Sequence, residues 1–427
     1  MKKSELLEYL ETNFDITIRD PLWQDIKLSQ SIYNIYMAKE VQKLSRIKQL
    51  GPTNLVYPGA MHTRLCHSLG VYHLSKEILK SLIIKTNNDF FTLEGVNSFL
   101  LAALLHDIGH FPYTHSLKEL PLIDHEILAT NLIKDKKTEL NQNLIKEGFN
   151  ISKICNILNF EEKAIDDEII LYKSLLSGAL DPDKLDYLNR DAFFAGVTYG
   201  VQDCSYIISH LTIHNGINTI LESAKMSLEN LIFSKYQMYK TVYWHKRVRC
   251  ATAMIKKCLI NNLEKGIIFE NQLYNLDDYS FNELAQNNID SFQNVIDVRD
   301  NKLFKTVYDI NFDKNNSFHN DCLDLNKRCK IEKQMYNLLL KKYNNLRCDQ
   351  VIIDIPEPIS FEIDIPILYK NSNTISFKDT NNIFDKIAIK GFEKSLRKMR
   401  IFTINEISEK DINEVINICV NKTATVN

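Results

Sequence analysis

Seven of the eleven histidines, His62, His67, His73, His106, His110, His115 and His125, fall in one short part of the chain. Imidazole binds metal ions and moves protons near neutral pH. One histidine alone is usually a satisfied core or surface residue, so the clustering is what points to chemistry. His106 and Asp107 are adjacent at the end of the apolar stretch 97–108, just before Gly109. Consecutive helical side chains diverge by about 100°, so both reach one ion only if it sits near the helix end. An ionised aspartate is costly to bury alone, and a divalent cation removes that cost. A bare His-Asp pair is more often only a helix terminus. Here His67, in TRLCHSLGV, and Asp183, in DPDKLDY, add a second imidazole and a second carboxylate. Such a mixed nitrogen and oxygen set suits Mn, Fe, Co, Ni or Zn and tolerates Mg. Four protein ligands on an octahedral ion leave room for water or a phosphate oxygen.

Phosphate needs further cations. Arg64 precedes His67 by three residues, which in a helix puts both on one side. Lys184 follows Asp183 directly, and Tyr187 and Asp191 continue along the face of Asp183. His110 lies one turn past His106. His125 opens HEILAT, whose Leu128 and Leu132 suggest a helix that holds it. Either imidazole could protonate a leaving oxygen or orient water. His115, after Pro112 and Thr114, is equally compatible with a structural role. The segment YWHKRVR (243–249) is locally basic. Most such runs are exposed helix faces, and Tyr243 and Trp244 could instead stack on single-stranded bases.

The elements that must position these residues are mostly helical. Leu65, Leu69, Tyr72, Ile78, Leu79 and Leu82 follow a three-four spacing. The stretch 97–108 is apolar nearly all round and reads as a buried helix, with Gly109 as its stop. Asp181 is an expected N-cap, and Pro182 suits the first helical position. One long helix is expected from about Ser227 to Leu263, then further helix and polar loops to 317. Residues 1–60 read as short helices and turns. Beyond 318 the texture changes: 350–369 alternates apolar and polar residues with prolines, which suggests strands. Phe392–Arg400 reads as a short basic helix followed by a strand. The expected fold is mainly α, with a helical core over 1–317, the segment 1–60 included, and a small α+β lobe over 318–427.

Composition sets the outer bounds. With 44% apolar and 25% charged residues the chain has the make-up of a soluble globular protein. A net charge of -2 gives no whole-molecule attraction to nucleic acid or acidic membrane, so any anion site is local. The start MKKSELLEYLETNF has no apolar core of a signal peptide, and no apolar run is long enough to span a bilayer. Nine cysteines without a CxxC pair read as reduced thiols. A cytoplasmic location is expected.

HTRLCHSLGV, LLHDIGHFPYTHS and DPDKLDYLNRD, in this order, resemble the motifs of HD-domain deoxynucleoside triphosphate triphosphohydrolases. DPLWQDIKLS, RIKQLG and VYPGAMHTR resemble the N-terminal segment of that group, and VIIDIP and FEKSLRK its closing lobe. The resemblance implies metal ligands at His67, His106, Asp107 and Asp183 and catalytic histidines at His110 and His125. It implies water attack on the α-phosphorus of a nucleoside triphosphate substrate, with release of nucleoside and tripolyphosphate. Arg64, Lys184 and Tyr187 match phosphate contacts, Asp191 a sugar contact, and Gln49 and Leu50 residues that meet the deoxyribose. Tyr243, His245 and Lys246 match a pocket-lining helix, and Lys235 a common arginine. No appended sterile-alpha-motif domain is expected, and an assembly of two or more copies is.

Two positions depart from the group. Lys118 stands where an acidic residue completes a proton relay, with Glu119 and Asp124 as possible substitutes. Met37, with Ala38 and Lys39, stands where an aspartate reads an activator guanine, so a guanine-regulated enzyme is not expected. The competing readings are another HD phosphatase or a phosphodiesterase on cyclic or oligonucleotide substrates, and a non-catalytic nucleotide- or nucleic-acid-binding module.

Overall fold

The computed structural model describes residues 2–86, 90–361, 365–380, 382–384 and 386–424. The fold is mainly α-helical, as expected. Helix Arg64–Lys85 packs against helix Leu93–Leu105 and helix Pro182–Ala195, and these three carry the centre of the core. Helix Leu93–Leu105 is buried on almost every side from Val96 to Leu105, which its sequence required. Each start has a cap. The Thr63 hydroxyl accepts from the Cys66 N–H, Thr92 from Gly95, and Asp181 from Lys184 at 2.6 Å, with Pro182 in the first turn. Helix Leu93–Leu105 ends at His106, three residues short of Gly109, so the glycine is not its stop.

Local patterns do not reveal several elements. Residues 1–60 contain an antiparallel hairpin, Ile16–Asp20 with Gln24–Leu28, whose alternation is too short to stand out. The long helix expected over 227–263 is two helices, Lys225–Met238 and Lys246–Glu264. A π-helical turn, Tyr239–Tyr243, separates them. Such turns re-aim side chains within a continuous apolar pattern, so periodicity does not show the break. Strand Lys305–Asn311 replaces part of the helix and loop expected up to 317. It pairs with Lys398–Thr403, which pairs in turn with Val351–Asp354, all antiparallel. This three-stranded sheet therefore joins chain from both sides of position 318. The basic helix is Lys386–Leu396, and the next strand starts at Lys398, inside the span read as helix.

A second sheet holds Leu211–His214, Ile217–Leu221, Pro366–Leu368 and Thr374–Ser376 in that order. Of the strand expectation over 350–369, Val351–Asp354 and Pro366–Leu368 are strands, 355–361 has no regular secondary structure, and 362–364 lie outside the described residues. Phe361, Ile365, Ile367 and Phe377 join the main core, so this part of the C-terminal half packs on the helical centre. Among the described residues, no helix is long and apolar enough to cross a membrane.

Candidate metal centre and cavity

His67 sits in the first turn of its helix, His106 at the end of helix Leu93–Leu105, and Asp183 in the first turn of helix Pro182–Ala195. Three helix ends thus meet. His67 Nε2 lies 2.9 Å from Asp183 Oδ1. His106 Nε2 lies 3.3 Å from Asp107 Oδ1 and 3.8 Å from Asp183 Oδ1. Ligand atoms of His67, His106 and Asp107 all fall within 4.8 Å of one another.

Whether this set fits a cation is decided by the far side of each ring. The His106 Nδ1–H donates to the Ala103 carbonyl at 2.8 Å, which leaves the Nε2 lone pair facing inward. That Nε2 is buried and, among the described residues, has no hydrogen-bond partner. The His67 Nδ1 lies 2.7 Å from Asp186 Oδ2, which directs its Nε2 to the same volume. A buried, unpartnered imidazole nitrogen between two carboxylates is what a divalent ion would satisfy, so the residues fit the group. Burial opposes protonation of His67, but the Asp183 and Asp186 carboxylates outweigh it and raise its pKa to about 10. The second proton this implies sits on Nε2, where a cation would take its place. Burial also works against the charged form of Asp107. The neighbouring His110 and His106 imidazoles and the Arg64 guanidinium outweigh it and hold the carboxyl well below the usual range.

A cavity of about 780 Å³ opens over this centre. His67, His106, Asp107 and Asp183 line it, as do Gln49, Leu50, Arg64, His115, His125, Lys184, Tyr187, Asp191 and Tyr243. His110 lies fully buried behind the wall. Its Nε2 is 3.2 Å from His115 Nε2, and its ring centroid is 4.0 Å from that of His125. The three histidines expected to move protons are therefore one cluster. Burial pushes the His110 and His125 imidazoles below their ordinary pKa, towards the neutral form. The close approach of helix His125–Lys134 depends on Gly109, because a Cβ there would lie 2.0 Å from the His125 carbonyl oxygen.

Several expected contacts are already engaged within the chain. Arg64 Nη1 donates to Asp107 Oδ2 at 2.8 Å, and the Lys184 ammonium holds its own N-cap, Asp181, and the Gly178 carbonyl. The Asp191 carboxylate accepts from the Tyr243 hydroxyl at 2.6 Å and lies 2.8 Å from His62 Nε2. Tyr239 packs edge-on against both Tyr243 and Trp244, so those rings are held by their neighbours. His245 caps helix Lys246–Glu264 and, like Lys246, is not among the lining residues; Val248, Arg249, Thr252 and Lys256 of that helix are. The π-helical turn shifts the face of the helix and explains the difference. Lys235 donates to the Ser360 carbonyl at 2.6 Å instead of facing the cation site. Glu119 pairs with Lys256 and Arg328, whereas Asp124 Oδ1 lies 3.4 Å from His125 Nδ1.

Residue types alone do not single out Asp186, Trp23, Tyr239, Lys256 or His62 in these roles. A signal for Asp186 is present, since it lies three residues past Asp183 and four before Arg190 on one helix face. Trp23, whose indole N–H donates to Asp186 Oδ1, is found only through the tertiary fold.

This geometry is that of a helical HD-type centre, and the wider comparison agrees. Residues 64–179 match the HD domain and residues 202–422 the HD associated region, the latter more than half of the 427-residue chain. The chain belongs to the HD-domain family that carries this associated region, within the HD superfamily of phosphohydrolases. It is 35% identical over 277 residues to an uncharacterised protein of Methanocaldococcus jannaschii, across 63% of this chain and 55% of that one. It is 27% identical over 242 residues to the protein of Dictyostelium discoideum named deoxynucleoside triphosphate triphosphohydrolase SAMHD1 homolog, across 54% and 46%. A solved structure of a hypothetical protein from Aquifex aeolicus superposes with a TM-score of 0.72 at 26% identity, covering 94% of this chain and 99% of that one. The chain spans about half the length of the curated relatives it matches.

Proposed function

We propose that this protein is a metal-dependent (deoxy)nucleoside triphosphate triphosphohydrolase. The observation that carries the reading is one cavity with a cation-ready His67, His106, Asp107 and Asp183 floor, His115 and His125 in its wall and His110 packed against them from behind. Its volume of about 780 Å³ falls in the range of small-molecule sites. Similarity to a relative whose name records dNTP triphosphohydrolysis supports the substrate class. When bound, the divalent ion supplies positive charge at a phosphoryl oxygen and makes water easier to ionise. Manganese or magnesium is the first ion to test, with Fe, Co, Ni and Zn as the other candidates.

In this reading water adds to the α-phosphorus while the bond from that phosphorus to the 5′ oxygen breaks. The water proton passes to an imidazole of the His110, His115 and His125 cluster, and the 5′ oxygen takes up a proton from it. A neutral imidazole can accept on one nitrogen and donate from the other, and burial keeps His110 and His125 neutral. Asp124 Oδ1, 3.4 Å from His125 Nδ1, would help orient His125, whereas Glu119 is engaged by Lys256 and Arg328. Arg64 and Lys184 would exchange part of their pairing with Asp107 and Asp181 for phosphate oxygens. Gln49, whose buried Oε1 has no hydrogen-bond partner among the described residues, and Leu50 would meet the sugar, with Tyr187, Asp191 and Tyr243 along the same wall. Residues 1–317 would carry the chemistry, and 318–427 would add the roof through Pro356–Ser360. The substrate partner is the nucleotide, and self-assembly into a dimer or larger is part of the proposal.

The test is incubation of the full chain with each dNTP and NTP and Mn or Mg, with products separated by anion exchange. Nucleoside plus tripolyphosphate is the expected pair. Phosphate or pyrophosphate as the sole inorganic product, or no turnover of any nucleotide, would refute it.

A further inference from the structure

The ion-binding face of His67 is backed by a buried charge network that reaches a different part of the chain. Asp186, fully buried, accepts from Arg190 Nε at 2.9 Å and Arg190 Nη2 at 3.0 Å, besides its contact with His67. Arg190 Nη1 donates at 2.8 Å to Asp20, at the end of the first hairpin strand. Trp23, in the turn of the same hairpin, donates its indole N–H to Asp186 Oδ1 at 2.5 Å. Asp20 Oδ1 also accepts from the Leu22 and Trp23 N–H groups at 2.9 Å, which fixes the turn that carries the indole. The helix leaves space for this carboxylate at Gly70, where a Cβ would lie 1.8 Å from Asp186 Oδ1.

Two features of this network go beyond what packing requires. A buried arginine is neutralised by one carboxylate, yet Arg190 is held between two, Asp20 and Asp186, both buried. A carboxylate that accepts the far N–H of a ligating imidazole fixes its tautomer and makes the other nitrogen a better donor. Arg190 holds both Asp186 oxygens and the indole N–H adds a further donor to Oδ1, so the carboxylate has one orientation.

We propose that Asp186 and Trp23 are positioning residues for the cation, which hold the His67 ring with Nε2 directed at the ion and thereby set its affinity. The proposal rests on reading His67, His106, Asp107 and Asp183 as a metal centre. The hairpin, which has no residue in the cavity wall, thus contributes to the centre through one indole N–H.

The experiment titrates the full chain with Mn(II) and follows free and bound ion by electron paramagnetic resonance, alongside thermal unfolding without added metal. Asp107→Ala serves as the control for the centre itself. Trp23→Phe keeps the ring and removes only the N–H; Asp186→Asn keeps the shape and removes the charge. The expected result is one tight Mn(II) in the wild type, none in Asp107→Ala, and Kd raised about tenfold or more in Trp23→Phe and Asp186→Asn. The zero-field splitting of the bound ion should also change in both, which a purely structural role would not produce. Wild-type Kd and spectrum in both variants, with binding lost in Asp107→Ala, would overturn the proposal and leave the metal centre standing. A lower unfolding temperature with unchanged Kd would overturn it equally. Absence of Mn(II) binding in the wild type, or full binding by Asp107→Ala, would instead refute the centre. If Asp186→Asn does not fold, Trp23→Phe decides alone.

Discussion

His106 Nε2 and His67 Nε2 face the same small volume because each ring is tied at its other nitrogen, one to a carbonyl and one to a carboxylate. Asp107 is the shared member: its oxygens meet Arg64, His106 and, at 3.6 Å, His110. Asp107→Ala should therefore abolish both metal content, measured by inductively coupled plasma mass spectrometry, and turnover. A variant that keeps either in full contradicts the centre. The imidazole wall should behave differently. His110→Gln or His125→Gln is expected to lower kcat by about 10²–10⁴-fold while bound metal stays at the wild-type level. Loss of the metal together with activity would reassign those residues from proton transfer to ion binding.

Elements enter through close approach and through charge. Gly109 lets helix His125–Lys134 lie against the turn just past His106; a Cβ there would also stand 2.6 Å from the Ala129 nitrogen. Because the obstacles are backbone atoms, Gly109→Ala must move the helix rather than a side chain. Misplacement of a catalytic group by about 1 Å costs on the order of 10²-fold in rate. The variant should bind metal, stay folded by circular dichroism, and show a kcat reduced by about that factor. Glu119 does a different task. It joins Lys256 of helix Lys246–Glu264 to Arg328 of helix Leu325–Leu340, with both cations nearly buried. Its removal takes a shared carboxylate from two nearly buried cations, so Glu119→Ala should lower stability by about 3–5 kcal/mol. Urea unfolding would measure this, and a change under about 1 kcal/mol, the size of an exposed ion pair, would show that the three-residue link is dispensable.

The molecule as a whole closes the cavity from distant chain segments. The wall runs from Lys48–Thr53 through the three central helices to Arg249, Thr252 and Lys256, and Pro356–Ser360 completes it. A cation bound only by the folded state stabilises it through mass action. Mn(II) at about a hundred times its Kd should add about 2.7 kcal/mol to unfolding stability, reversed by a chelator. An unfolding temperature indifferent to both would count against a site formed by the fold.

Much of the centre is legible in the sequence because its chemistry is written in residue type at short spacing. His106-Asp107, the Asp181-Pro182 helix start with Asp183 in its first turn, and Arg64 with His67 are local patterns, and a helix fixes which of them share a face. The mainly helical fold is legible for the same reason, since an apolar run such as 93–105 has few other stable forms. Pairing and direction were decided only by the tertiary structure. Nothing local joins Trp23 to Asp186, 163 residues apart, or Glu119 to Arg328, 209 residues apart. The pairing of Lys305–Asn311 with Lys398–Thr403 is likewise remote in the chain. The π-helical turn at Tyr239–Tyr243 is hidden because one extra residue leaves an apolar pattern nearly intact while rotating the helix beyond it. Residue types thus determined which atoms could bind a cation and move protons; the fold determined which nitrogen of each ring faces the ion and which carboxylate holds it there.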